Sequence, residues 1–256
     1  MEGVPELGWQ HVAALSAVAF LAGLVDSIAG GGGLLTFPAL LTSGLPAHVA
    51  LGTNKGQSVF GSAAALLRYA RAGLVDKQQA KRTFPAGFVG ALAGAALVLL
   101  VQPGVLRPVV LVLLVGAALF VAQLRDVAPR ALFEGGRARM AALVIAFVIG
   151  TYDGFFGPGT GTFLFVAFVS VLGATVERAT ADAKVVNFAS NLASVVVFGL
   201  RGVIVWKLAL PMAAGQALGA WTGAHLAVKV GAKLIRTMVL LVVVALVLRL
   251  GYDMWR

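Results

Sequence analysis

Long apolar runs recur from one end of the chain to the other and limit which folds are possible. Two of them, at 109–121 and 238–248, contain no charged residue. A helix needs roughly 20 mostly apolar residues to cross a bilayer, and it satisfies its own backbone groups in lipid. Outer-membrane strands would instead alternate apolar and polar residues. We therefore predict an all-α, multi-pass protein of the bacterial inner (plasma) membrane.

The composition supports this prediction and excludes other classes of protein. Hydrophobic residues make up 60% of the 256 residues and charged residues only 12%, about half the usual share in soluble domains. The net charge is +10, but Lys and Arg mostly lie between apolar runs, where they orient helices and meet anionic headgroups. We expect the lipid bilayer as a partner and no nucleic acid. Without cysteine, a disulfide framework or a thiolate metal site is impossible.

A basic linker at 125–140 divides the apolar segments into two groups of five. We predict a first transmembrane repeat at 1–124 and a second at 141–256. The expected membrane segments are 11–28, 34–43, 57–70, 84–102, 105–122, 141–156, 161–172, 185–200, 208–227 and 234–251.

The two halves align as copies of each other. An offset of 129 residues brings Lys55 onto Lys184, and a two-residue gap upstream brings Asp26 onto Asp153. Such matches carry weight because charged residues are rare in this chain. Paired copies are a common plan among transporters, so we predict an internal duplication.

The distribution of basic residues predicts the orientation of the halves. The loop at 71–82 and the linker are rich in Lys and Arg, which favours the cytoplasmic side. Five crossings in the first half would then make the second half inverted. The segments at 34–43 and 161–172 are short for a span, and they either cross the bilayer or re-enter it, giving eight to ten membrane segments.

Asp26 and Asp153 are the acidic residues that we place inside apolar runs. Each precedes a glycine-rich break, at 30–33 and 157–161. Charges at such depth usually face a cavity, which suggests proton coupling. The alternative is structural, with the carboxylate capping backbone N–H groups where a helix breaks.

The glycine-rich breaks predict a ligand site. Consecutive glycines disfavour a helix interior, and irregular backbone at membrane depth is tolerated where it lines a cavity. The helix after each break would point its N-terminal N–H groups at that cavity, which suits an anion. For isolated glycines such as Gly90 and Gly94, we expect close helix packing instead.

Lys55 and Lys184 each open an apolar run and would attract an anion at membrane depth. Alternatively, they extend to the membrane interface. Asn187 and Asn191 lie one turn apart near Lys184, and we expect Asn191 to face other helices. The predicted substrate-binding residues are Gly32, Gly33, Thr36, Thr53, Asn54, Lys55, Gly159, Thr160, Gly161, Thr162, Lys184, Asn187 and Asn191.

Motifs for other functions are missing from the sequence. The three histidines share no metal-ligand spacing, and no nucleophile elbow, P-loop or HExxH is present. We therefore expect no enzyme, no metal and no cofactor, and no direct use of ATP. A passive anion channel, an intramembrane enzyme and a scaffold stay as alternatives to a carrier.

These motifs also resemble those of a known family. The stretches 23–40, 50–55, 152–163 and 179–184, with Asn187 and Asn191, are similar to the two repeats of the TauE/SafE sulfite exporter family. The resemblance implies a secondary permease that exports sulfite or organosulfonates. We expect a small sulfur-containing anion held near the membrane midplane between the repeats, with a coupling proton or ion. The sequence is compatible with a monomer or a homo-oligomer.

Overall fold

The computed structural model describes residues 8–123 and 127–230 and shows an all-α protein, as predicted. Helices begin and end where glycine, proline or a capping side chain interrupts the apolar runs. The nine helices in these ranges are α1 (Trp9–Ala29), α2 (Gly33–Thr42), α3 (Ala47–Arg71), α4 (Lys77–Leu100), α5 (Pro103–Gln123), α6 (Gly135–Phe155), α7 (Thr160–Leu172), α8 (Val176–Leu200) and α9 (Trp206–Val230).

Helix length and composition confirm a multi-pass membrane protein. Helices α1, α4, α5, α6 and α8 are long and apolar enough to cross a membrane. Helices α3 and α9 have 25 residues each, about 37 Å at 1.5 Å per residue. Helices α2 and α7 have 10 and 13 residues, so at about 15 and 20 Å neither crosses a core of roughly 30 Å alone. The predicted segment at 234–251 lies outside the described residues.

Four helices begin well before the apolar runs suggest, and one of them is α4, which begins at Lys77 rather than at 84. Helix α3 begins at Ala47 rather than at 57, and α8 begins at Val176 rather than at 185. The lysines that were expected to open apolar runs therefore lie inside helices. A cap sets the start of α8, where Thr175 accepts a hydrogen bond from the amide of Arg178. Helix α3 begins directly after Pro46, which makes no side-chain capping hydrogen bond. Helix α6 begins at Gly135 and so includes the last part of the predicted linker.

The helices of the two halves correspond under the offset found in the sequence. Shifting α3 by 129 residues gives the bounds of α8, and shifting the start of α4 gives the start of α9. Helix α4 packs against α6, and α9 packs against α1, so the fourth helix of each half lies on the first helix of the other. This exchange interlocks the halves, while their inversion in the membrane stays a prediction.

Glycines allow this exchange, as expected for Gly90 and Gly94. A Cβ atom at Gly90 would overlap the main-chain oxygen of Phe147 in α6. At the corresponding position of the other half, a Cβ atom at Gly219 would overlap the main-chain oxygen of Phe20 in α1. Small residues let helix backbones approach this closely in membranes, and the prediction of close helix packing is confirmed.

Candidate functional site

The two glycine-rich breaks lie against each other in the interior of the protein. Gly30 has a φ of 72°, which only glycine adopts readily, and a Cβ atom there would overlap the backbone of Gly161. The hydroxyl of Thr162 donates to the main-chain oxygen of Ala29 over 2.8 Å. The break between α1 and α2 is therefore joined to the start of α7.

A buried ion pair connects α8 to the first break. Lys184 Nζ lies 2.8 Å from Asp26 Oδ2 and also donates to the main-chain oxygen of Asp26. The other carboxylate oxygen of Asp26 accepts from the amides of Gly31 and Gly32, each over 3.2 Å. Asp26 therefore caps the break, as the structural interpretation predicted.

A second ion pair occupies the corresponding place in the other half. Lys55 Nζ lies 2.7 Å from Asp153 Oδ1, and both side chains are 2% exposed. Thr160 Oγ1 lies 2.9 Å from the same carboxylate oxygen, and the hydroxyl of Ser190 is bonded to Oδ2. Lys55 and Lys184 are thus buried and paired across the halves, and they do not extend to the membrane interface.

A small cavity lies between the two ion pairs and the two breaks. Its volume is about 20 Å³, enough for roughly one water molecule. Much of the lining was predicted from sequence: Asp26, Gly33, Asn54, Lys55, Asp153, Gly159, Thr160, Gly161, Asn187 and Asn191. Lys184 lies behind Asp26 as its ion-pair partner.

Four lining residues were missed by the sequence analysis: Gly31, Ser58, Gly157 and Gln216. The two glycines belong to the predicted breaks. Ser58 follows Asn54 by one helical turn on α3, which could have indicated it. Gln216 in α9 is 2% exposed, and its side-chain oxygen has no partner among the described residues. No signal in the sequence around it pointed to the site.

Two other predicted residues, Thr36 and Gly32, support the site from behind its lining. Thr36 donates to Asn54 Oδ1 over 2.6 Å, and Gly32 contributes its amide to Asp26. Thr53 lies elsewhere and accepts from the amide of Val205 over 3.1 Å.

Asp182 corresponds to Thr53 in the other half. The prediction that only Asp26 and Asp153 lie inside the apolar part of the protein is wrong, because Asp182 is buried as well. It is a third buried carboxylate, 3% exposed, although it was not placed inside an apolar run. It accepts from the amide of Asp76 over 2.9 Å and from Gln79 Nε2. Asp182 therefore anchors the start of α4, away from the cavity.

Several residues that line the cavity carry free hydrogen-bond donors. Gly33 and Gly161 lie in the first turns of α2 and α7, and neither amide donates to another described residue. Asn54 accepts from Thr36 and Gln57 through Oδ1, so its NH₂ group is the end left for a ligand. Helix N-termini of this kind bind anions through free N–H groups and the helix dipole.

Asn191 faces the interior, as predicted. It is 3% exposed, and its Nδ2 donates to the main-chain oxygen of Asn187 over 2.8 Å. Asn191 Nδ2 also donates to Asn187 Oδ1 over 3.3 Å, so Asn191 and Asn187 are joined to each other beside the cavity. Among the residues that the structure describes, no cluster of three or more His, Asp or Glu could hold a metal ion.

Comparisons with known proteins agree with this architecture. The family model described as sulfite exporter TauE/SafE matches residues 15–250, so the chain belongs to the TauE/SafE family, as its motifs suggested. It is 40% identical to probable membrane transporter protein ORF9 of Sinorhizobium sp., over 97% of this chain and 95% of the relative.

Two further relatives carry similar names. The chain is 40% identical to probable membrane transporter protein YfcA of Escherichia coli K12, over 92% of this chain and 88% of the relative. It is 38% identical to a probable membrane transporter protein of Haemophilus influenzae, over 97% of each chain. No solved structure gives a significant match. The protein is a multi-pass membrane transporter.

Proposed function

We propose that the protein is a secondary-active carrier that exports a small sulfur-containing anion, such as sulfite or an organosulfonate. The anion binds between the two halves near the membrane midplane. The observation that carries the proposal is a cavity lined by Lys55, Gly33 and Gly161, where the two glycine amides are free. The choice of sulfur anion and of export follows the name of the family.

The donors around the cavity favour an oxyanion over a cation. Two lysines and two aspartates balance in charge, so the preference comes from the neutral groups. Among the described residues, the lining includes Gly33 and Gly161 at the starts of α2 and α7, whose amides are free, and Asn54, whose NH₂ group is free. Sulfite and sulfonates carry several acceptor oxygens and no donor when fully ionised, which matches this set.

The size of the cavity favours a carrier over a passive channel. At about 20 Å³ it does not hold an anion of several heavy atoms, so the helices around it must separate when the substrate enters. Carriers with two related halves expose such a site to one side of the membrane at a time. The sequence lacks a nucleotide-binding motif, and we assign the driving force to ion gradients. A proton or another ion is coupled to the anion, with Asp26 or Asp153 as the proton acceptor.

Thermal stabilisation of the purified protein by anions tests this proposal. The panel is sulfite, sulfate, thiosulfate, sulfoacetate and methanesulfonate, with chloride as control. A ligand at 100 times its Kd adds about 2.7 kcal/mol of stability if it binds only the folded state. We expect selective stabilisation by a sulfur oxyanion, which Asn191→Ala weakens.

Ser62→Ala is the matched control. Ser62 is the counterpart of Asn191 under the 129-residue offset, and its hydroxyl bonds only to carbonyls of its own helix. We expect this variant to keep the response to the anion. Equal stabilisation by every anion including chloride, or an unchanged response in Asn191→Ala, would contradict the proposed site.

A further inference from the structure

We infer that the two ion pairs, although related by the internal duplication, have different roles. The pair Lys55–Asp153 opens when the site takes up one proton on Asp153 and one monovalent anion on Lys55. The pair Lys184–Asp26 stays closed and holds the break between α1 and α2. This inference rests on the proposed function and names the coupling residue and the charge of the transported species.

The partners of Asp26 are fixed as donors. Its Oδ1 accepts from two main-chain amides, of Gly31 and Gly32, and an amide N–H cannot accept. Its Oδ2 accepts from Lys184, which is also bonded to the main chain of Asp26. A proton on this carboxylate would compete with these donors, so the arrangement suits a permanent carboxylate.

The two hydroxyl groups bonded to Asp153 can change from donating to accepting a hydrogen bond. Thr160 Oγ1 lies within bonding distance of Asp153 Oδ1 and also of the main-chain oxygen of Gly157, at 2.6 Å. Ser190 Oγ lies likewise between Asp153 Oδ2 and the main-chain oxygen of Asn187, at 3.0 Å. A hydroxyl has one proton and two lone pairs. Each hydroxyl can therefore donate to an ionised Asp153, or turn to its carbonyl and accept the proton of a neutral one.

The two lysines also differ, in the number of acceptors that each ammonium group has. Lys184 Nζ has two acceptors, both on Asp26. Lys55 Nζ is bonded to Asp153 alone among the described residues, and Lys55 lines the cavity while 2% exposed. An ammonium group carries three donors, so Lys55 keeps N–H groups for an anion at a place where water is largely excluded.

Charge balance fixes the ratio of proton to anion. The closed pair Lys55–Asp153 has no net charge. With a proton on Asp153 and a monovalent anion beside Lys55, the net charge is again zero, whereas the anion alone would leave one uncompensated buried charge. The other charged groups near the cavity are Asp26 and Lys184, and they cancel each other. Transport of a monovalent anion is therefore electroneutral, one proton moving in the same direction with each anion. Net export then occurs when the outward gradient of the anion exceeds the inward gradient of protons.

Flux into proteoliposomes tests the inference. The probe is radiolabelled methanesulfonate, a monoanion across the working pH range, with labelled sulfite as a second substrate. For the wild-type protein we expect accumulation driven by a pH gradient, and a rate that a potassium diffusion potential does not change. A rate that follows the potential overturns the inference, and this test needs no variant. If neither anion exchanges across the membrane, the proposed function fails and the inference with it.

Substitutions then separate the two aspartates. We expect Asp153→Asn to exchange labelled anion at a reduced rate but to lose gradient-driven accumulation at least tenfold. Asp26→Asn should keep the coupling and lose thermal stability. Asp182→Asn, at a buried carboxylate outside the cavity, is the matched control and should keep both anion exchange and gradient-driven accumulation. Retained coupling in Asp153→Asn, or lost coupling in folded Asp26→Asn, would overturn the assignment while leaving anion transport intact.

Discussion

The pair Lys55–Asp153 joins the two halves, and a double-mutant cycle measures its contribution to stability. The variants are Lys55→Met, Asp153→Asn and the double substitution. Each single variant leaves one charge without its partner at a site that is 2% exposed. Breaking a buried pair on one side costs about 3–5 kcal/mol. At about 2–4 °C per kcal/mol for a chain of this size, each single variant should lower Tm on the order of 10 °C.

The double variant should be more stable than the two single costs imply. With both charges removed, no uncompensated charge stays buried, so the double variant should recover about 2–3 kcal/mol relative to the sum of the singles. Thermal unfolding in detergent, followed by tryptophan fluorescence, gives the three values.

The control cycle combines Asp153→Asn with Thr222→Val. Thr222 is exposed on α9 and bonded only within its own helix, so the two changes should add within about 0.5 kcal/mol. If Lys55→Met and Asp153→Asn add in the same way, the two side chains are not coupled, and the pairing described for the centre of the protein is wrong.

Three other substitutions test the packing and capping of the helices. Gly94→Leu should prevent α4 from packing on α6, since a Cβ atom there would overlap the main chain of α6. The yield of folded protein should fall severalfold. Gly116 has open space around it, so Gly116→Leu should leave the yield unchanged. Thr162→Val removes the hydroxyl that donates to two main-chain oxygens of the first break and should cost about 1–3 kcal/mol, measured as a lower Tm; an unchanged Tm would contradict this contact. Asp76→Ala removes the N-cap of α4 and should cost about 1 kcal/mol by the same measurement, and a gain in stability would argue against the cap.

Much of the fold could be predicted from the apolar pattern. Helix α1 was expected at 11–28 and lies at Trp9–Ala29, and α7 was expected at 161–172 and lies at Thr160–Leu172. Both predictions succeeded because glycines end the apolar run where the helix itself ends. The same glycines correctly indicated where two irregular segments would meet the interior.

The polar ends of α3 and α8 could not be predicted from that pattern. Lys55 and Lys184 interrupt the hydrophobic signal, and a charge in such a place usually marks a helix end near water. Here each lysine is buried because an aspartate of the other half lies within 3 Å. Lys55 and Asp153 are 98 positions apart in the chain, and a pairing over that distance depends on how the halves pack.

Gln216 and Ser190 were missed for a related reason. Both sit in helices whose composition is otherwise ordinary, and each acquires its place in the site through helix packing. The duplication does not indicate them either, because their counterparts under the 129-residue offset are Gly87 and Gly61. Equivalent positions in the two halves therefore carry different side chains around a shared arrangement of backbone.

Counterflow of labelled sulfite in proteoliposomes tests the central claim most directly. The account predicts that unlabelled sulfite inside the vesicles drives saturable uptake of the label, that other sulfur oxyanions compete, and that Asn191→Ala raises the half-saturating concentration. Uptake that rises linearly with sulfite concentration without saturation, or that equals uptake by protein-free vesicles, would contradict a carrier with a binding site between the halves.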